Sequence, residues 1–264
     1  MCKGCDASIR RARSGRGAGE PEAPRLKRAP DITAMINTSK RMLHEIQEVK
    51  SDAMKGNRIF YWFNEADVKK AKAMIIGPEG TPYADCPLVF DIRLPNDYPI
   101  SSPTVTILTS DGVTRFHPNL YVTGKVCLSI LGTWKGPAWT AAITLSKMLL
   151  TIQSLLEANP IVNEPSYENI TLEDPRAKAY AEFVESRLLS QSFNNLLRLR
   201  KGECPPLWED FKDVLGEIQS DLLAKMAVKI RAHTEDKTYQ NLIYSMSGKT
   251  DWLKLAALAN DAGI

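Results

Sequence analysis

Phe116-His117-Pro118-Asn119-Leu120-Tyr121-Val122-Thr123-Gly124-Lys125-Val126-Cys127-Leu128-Ser129-Ile130-Leu131 is the stretch on which the reading of this chain turns. It carries neither a 3.6-residue nor a 2-residue apolar period, and its Pro and Gly mark turns. Cys127 lies eight positions after Asn119 and is framed by apolar residues. Sulfur is a good nucleophile toward activated acyl groups and a good leaving group afterwards, so a cysteine in such a frame points to thioester chemistry. A lone cysteine is more often a small buried hydrophobe. Cys86 and Cys204 have no comparable frame and take that reading. A cysteine protease is the rival enzyme class, and it needs a histidine base beside the thiol. The histidines are His44, His117 and His233. His117 is nearest in sequence but is followed at once by Pro118 in a rigid turn, and no distant histidine has an evident carboxylate partner.

Working outward, Met42, Leu43, Ile46 and Val49 fall at helical spacing after Thr38 or Ser39, either of which can cap a helix. Four β-type stretches follow, at 58–63, 72–77, 88–94 and 104–109. In the third, Phe90, Ile92 and Leu94 alternate with Asp91 and Arg93, the period of a sheet with one buried face. Gly77-Pro78-Glu79-Gly80 and Pro95-Asn96-Asp97 supply turn chemistry, and no crossover long enough for a parallel sheet intervenes. An antiparallel meander is the expectation. Residues 110–142 are too long for an ordinary connection, and such loops tend to be functional. Leu145, Met148, Leu149, Ile152, Leu155 and Leu156 then mark a second amphipathic helix closed by Asn159-Pro160.

Beyond Pro165 the pattern is helical only. Helices are expected over about 174–200 and 207–232, with a last one opening near Thr250 after Ser247-Gly248. Their apolar stripes must be buried against each other or against the rest of the chain. The predicted class is α+β: residues 36–168 form a core of N-terminal helix, four-stranded antiparallel meander, active-site loop and helices, and residues 169–264 form an all-helical C-terminal extension.

Residues 1–30 hold eight basic groups against three acids, with Gly and Pro between them, a composition that cannot pack a core. Residues 1–35 therefore read as a basic disordered arm, a solubilising tail or a nuclear-targeting patch around Pro24-Arg25-Leu26-Lys27-Arg28. Cys2-Lys3-Gly4-Cys5 invites a metal, but zinc takes four ligands and no second pair stands nearby, so no metal is expected. Lipidation at either cysteine has no support in the sequence. The five cysteines are odd in number and scattered, which argues for a reducing compartment. No apolar run approaches the roughly 18 residues of a membrane span, and no secretory signal is evident. The expectation is a soluble cytoplasmic or nuclear protein with no membrane partner. A net charge of +3 gives no reason to expect nucleic acid.

A set of motifs in fixed order covers residues 38–165. They are Lys40-Arg41, Ile76-Gly77-Pro78, Thr81-Pro82-Tyr83, Asn96-Asp97-Tyr98-Pro99, His117-Pro118-Asn119, Cys127-Leu128, Trp139, and Ile152-Gln153-Ser154-Leu155-Leu156 leading to Asn159-Pro160. In that order they resemble the ubiquitin-conjugating enzymes. Cys127–Trp134, Gly136-Pro137-Ala138-Trp139 and Asn163-Glu164-Pro165 look like the Z-type members, which also carry a helical extension.

The resemblance implies that Cys127 takes ubiquitin or a ubiquitin-like modifier as a thioester from an activating enzyme and yields it to a lysine of a protein substrate, with a ubiquitin ligase as a further partner. It implies no cofactor, because ATP is consumed by the activating enzyme. His117 and Pro118 would hold the loop, and Asn119 would donate to the developing oxyanion or brace the backbone. Glu164 falls where the family usually has a gating aspartate, and Ser129 replaces an acid common two residues after the cysteine. A lysine near its reference pKa of about 10.4 needs roughly 4 to 5 kcal/mol of help to ionise near neutrality, which gives such an acid its purpose. Ligase docking maps onto Lys40, Arg41, His44, Ile100 and Ala142. The rival from another class is a non-catalytic platform in which the same fold and the extension hold a partner.

Overall fold

The computed structural model describes residues 32–241 and 243–264, with side chains from Lys40 onward. Residues 1–31 of the basic arm, with the Cys2/Cys5 pair, lie outside the described residues, and residues 32–35, expected to belong to that disordered arm, are helical. Helix α1 runs over Ile32–Val49. It opens before the expected Thr38, since neither proline nor glycine interrupts 32–37, so Thr38 and Ser39 lie inside it rather than at its cap. A short helix α2, Asp52–Gly56, is capped by the Ser51 side chain. The strands β1 (Ile59–Asn64), β2 (Asp67–Ile76), β3 (Pro87–Arg93) and β4 (Thr104–Ile107) then pair in the order β1-β2-β3-β4, all antiparallel. This is the meander expected from the turn chemistry.

The one-face alternation in β3 holds only over its second half. Pro87 through Phe90 are buried without a break. The reason lies beyond the core: Cys86, just before the strand, lies near Ser192, Glu185 and Lys229, so the extension covers the second face of the sheet at that end.

Helix α3 (Leu145–Ser154) is capped by Thr144 and packs beside α1. One carboxylate fixes the two helices together. Glu45, fully buried on α1, accepts from Arg41 Nε at 2.6 Å, from the Tyr98 hydroxyl at 2.7 Å and from the first amide of α3, Leu145 N, at 2.7 Å. The amide at a helix start carries partial positive charge, so a carboxylate there is doubly favoured.

Helices α4 (Pro175–Arg200), α5 (Lys212–Arg231) and α6 (Trp252–Asp261) build most of the extension. On α4, Ala177, Tyr180, Val184, Leu188 and Leu196 lie along one buried stripe, and each large side chain so buried contributes about 1.5 to 3 kcal/mol. A hairpin of β5 (Lys237–Asn241) and β6 (Met246–Thr250) sits between α5 and α6, which corrects the expectation of helices alone. Its strands are polar, and of β5 only Tyr239 and Asn241 are buried, so no apolar alternation announced them. Trp252 Nε1 donates to the Tyr239 hydroxyl at 2.9 Å and locks the hairpin to α6. A single cluster of buried residues runs from Met42 through the sheet to Ala259.

Candidate active site

The segment before Cys127 is stitched to the open edge of the sheet. Ile107 N donates to Gly124 O at 2.9 Å, and isolated bridges join Thr106 to Lys125 and Leu120 to Val126. Gly124 is required here: its φ is +90°, and an added Cβ would stand 2.8 Å from Thr106 Cγ2. Residues 119–127 thus form a narrow loop whose two ends, Asn119 and Cys127, face each other.

Those two residues exchange hydrogen bonds. Cys127 N donates to Asn119 O at 2.8 Å, and Asn119 Nδ2 donates to Cys127 O at 2.7 Å. Asn119 N in turn donates to His117 Nδ1 at 2.9 Å. His117 is fully enclosed. Desolvation, reinforced by the charge of Arg115 and opposed by the Leu155 carbonyl, pulls its pKa down to about 3. At neutral pH it is an uncharged ring whose free lone pair is already engaged, so it is not placed to act as a base. Asn119 Oδ1 is buried and without a partner. Cys127 is a free thiol, 1% exposed.

After the cysteine, Ser129 opens a short 3₁₀ turn over Ser129–Leu131. The Gly132–Ala138 loop folds back over it, since a Cβ on Gly136 would come within 2.8 Å of Ser129 Cβ. Sequence reasoning missed Thr133. Its hydroxyl accepts from Leu128 N at 2.9 Å and donates to Val126 O at 2.8 Å, bracing the chain on both sides of Cys127. A lone threonine in a Gly-rich loop carries no signal of such a role.

Glu164 has partners that sequence did not foresee. Its carboxylate accepts from the Tyr244 hydroxyl, at the turn of the extension hairpin, and lies 3.6 Å from an Arg115 guanidinium nitrogen. Burial, and then the bond to Glu164, push the Tyr244 phenol above its ordinary value. The Arg115 guanidinium packs against the rings of Tyr121 and Tyr244, 4.0 and 4.5 Å from their centroids, and donates to Pro118 O.

Of the docking candidates, Lys40, His44, Ile100 and Ala142 are exposed, Ile100 by 73%. Arg41 is half-buried, and its guanidinium is engaged by Glu45 and by Ile143 O at 3.0 Å. Among the described residues no group of three His, Cys, Asp or Glu is placed to hold a metal, and no helix is long and apolar enough to cross a membrane.

A family model described as ubiquitin-conjugating enzyme matches residues 41–186. The human Ubiquitin-conjugating enzyme E2 Z is 36% identical over 192 residues, covering 72% of this chain and 53% of the relative. The human Dual E2 ubiquitin-conjugating enzyme/E3 ubiquitin-protein ligase BIRC6 is 44% identical over 116 residues, covering 42% of this chain and 2% of that protein. The solved E2 domain of a Toxoplasma gondii ubiquitin conjugating enzyme aligns with a TM-score of 0.45 and 25% identity, over 57% of this chain and 96% of that one. This chain spans about half the length of the E2 Z relatives it matches.

Proposed function

The chain belongs to the ubiquitin-conjugating enzyme family, and we propose that it accepts ubiquitin or a ubiquitin-like modifier from an activating enzyme on Cys127 and transfers it to a substrate lysine. In the first step the Cys127 sulfur attacks the modifier's C-terminal carbonyl, a new S–C bond forms, and the activating enzyme's cysteine leaves as the thiol. In the second, a lysine nitrogen attacks the same carbonyl, the isopeptide bond forms, Cys127 leaves, and the amine proton is lost. Neither step needs a metal or cofactor from this chain, and both need a thiol held in a fixed backbone frame.

The observation that carries this reading is the reciprocal pair of hydrogen bonds between Asn119 and Cys127. Incubation with activating enzyme, ATP and a panel of modifiers should give an adduct one modifier heavier that disappears under thiol reductant. If no member of the panel gives that adduct, the protein is a binding platform and the enzymatic reading falls. Lys40, Ile100 and Ala142 are the surface positions proposed for ligase docking.

Asn119 supports the transfer step. Its Nδ2 holds the Cys127 carbonyl at rest, and such an amide can donate instead to an oxyanion that develops at the thioester carbon. Asn119→Ala should still load, while release to free lysine slows by roughly tenfold to a hundredfold, below the loss seen on removing a dedicated oxyanion donor. Wild-type release would remove this role. Failed loading with a lowered melting temperature would leave Asn119 only its bracing bond.

A further inference from the structure

The one peptide unit between Pro118 and Asn119 is held at both ends. Its N–H donates to His117 Nδ1 at 2.9 Å, and its carbonyl accepts from the Arg115 guanidinium. With both ends fixed the plane cannot rotate, and the Asn119 side chain is aimed at Cys127 O. Arg115 supplies one of those two ends and His117 the other.

Arg115 is itself set by residues far away in sequence. Tyr244 and Tyr121 both pack against its guanidinium, and Glu164 lies 3.6 Å from it while accepting from the Tyr244 hydroxyl. The Arg115 main chain is tied to the extension as well: its N–H donates to Met246 Sδ at 3.2 Å, and its carbonyl accepts from the Tyr180 hydroxyl at 2.8 Å. Both ends of the Arg115 residue therefore rest on the extension, and its guanidinium reaches back to the active-site turn. A salt bridge that served only to fasten the extension would need Glu164 alone. The bond to Pro118 O goes beyond that need, and a planar fork is required to make it while packed against two rings.

We propose that Arg115 is a positioning residue for modifier transfer, and that Tyr244, with Glu164, holds it so that the extension hairpin becomes part of the active-site machinery. The proposal rests on the thioester reading of Cys127. It gives Glu164 a role through Arg115 in place of a gate acting directly on the lysine.

The test uses the full chain and two readouts. In single-turnover assays Arg115→Lys and Tyr244→Leu should slow discharge to free lysine by about tenfold more than they slow loading, which corresponds to ~1.4 kcal/mol confined to the second step. Tyr244→Phe, which keeps the ring and loses the hydroxyl, should rescue most of the Tyr244→Leu defect. The double variant Arg115→Lys/Tyr244→Leu should discharge no more slowly than Arg115→Lys, because both changes act through one guanidinium. Independently of charging, hydrogen exchange at the Asn119 and Cys127 amides should accelerate in Tyr244→Leu while amides in β2 and β3 keep their protection.

Loading and discharge that fall together, an additive double variant, or unchanged exchange at Asn119 would each overturn the proposal. A wild-type protein that never charges would overturn the thioester reading and the transfer role with it, while the exchange measurement would still report whether the clamp exists.

Discussion

Cys127→Ala is expected to form no reducible adduct, and Cys127→Ser to form one that survives reductant as an oxyester. The comparison is clean because both hydrogen bonds between Asn119 and residue 127 use main-chain atoms of residue 127, so either substitution leaves the loop closed. The other described cysteines are poor substitutes. Burial pushes the Cys86 thiol up to about 12, which leaves on the order of one part in ten thousand as thiolate at pH 8. Desolvation and the neighbouring Glu209 raise Cys204 in the same direction. Gel mobility with and without reductant, or intact mass, reads the result. A reducible adduct at wild-type level in Cys127→Ala would remove Cys127 from the mechanism altogether.

Glu45→Ala should be among the most damaging substitutions to stability. The carboxylate is fully buried and receives three donors, Arg41, Tyr98 and the Leu145 amide, from three separate parts of the chain. Removing it leaves a buried phenol and a helix-start amide without their acceptor, and a half-buried guanidinium with only the Ile143 carbonyl and no counter-charge. Breaking a buried charge pair by deleting one partner costs about 3 to 5 kcal/mol. For a chain of this size that lowers the melting temperature by roughly 6 to 20 °C, at about 2 to 4 °C per kcal/mol. Chemical denaturation with an unchanged m-value would show that the effect lies in the folded state. A midpoint within 1 °C of the parent would mean that water replaces the carboxylate without loss.

The elements legible in sequence are those whose own residues carry the signal. Met42, Ile46 and Val49 repeat at helical spacing, and Gly77-Pro78 and Pro95-Asn96 punctuate the meander. The frame of His117, Asn119 and Cys127 stood out in the sequence through its resemblance to the conjugating family, and in the structure hydrogen bonds join its members across short separations. What escaped depends on contacts between distant segments. Arg41 looks like a surface cation until Tyr98 and Leu145 are seen to share its Glu45. Glu164 looks like a loop acid until Arg115 and Tyr244 close on it. The β5–β6 hairpin escaped for a local reason: its strands bury too few apolar side chains for period two to show.

Helix α4 carries two boundaries that do not coincide. The match to the general family model stops at Ser186, while the helix continues unbroken to Arg200, with Val184 on one side of that point and Leu188 on the other both buried. A helix is cooperative along its length, and buried residues on either side of a point inside it unfold as one unit. The segment that the general family model describes and the cooperative unit in this protein therefore have different lengths, and the shorter one ends inside the helix.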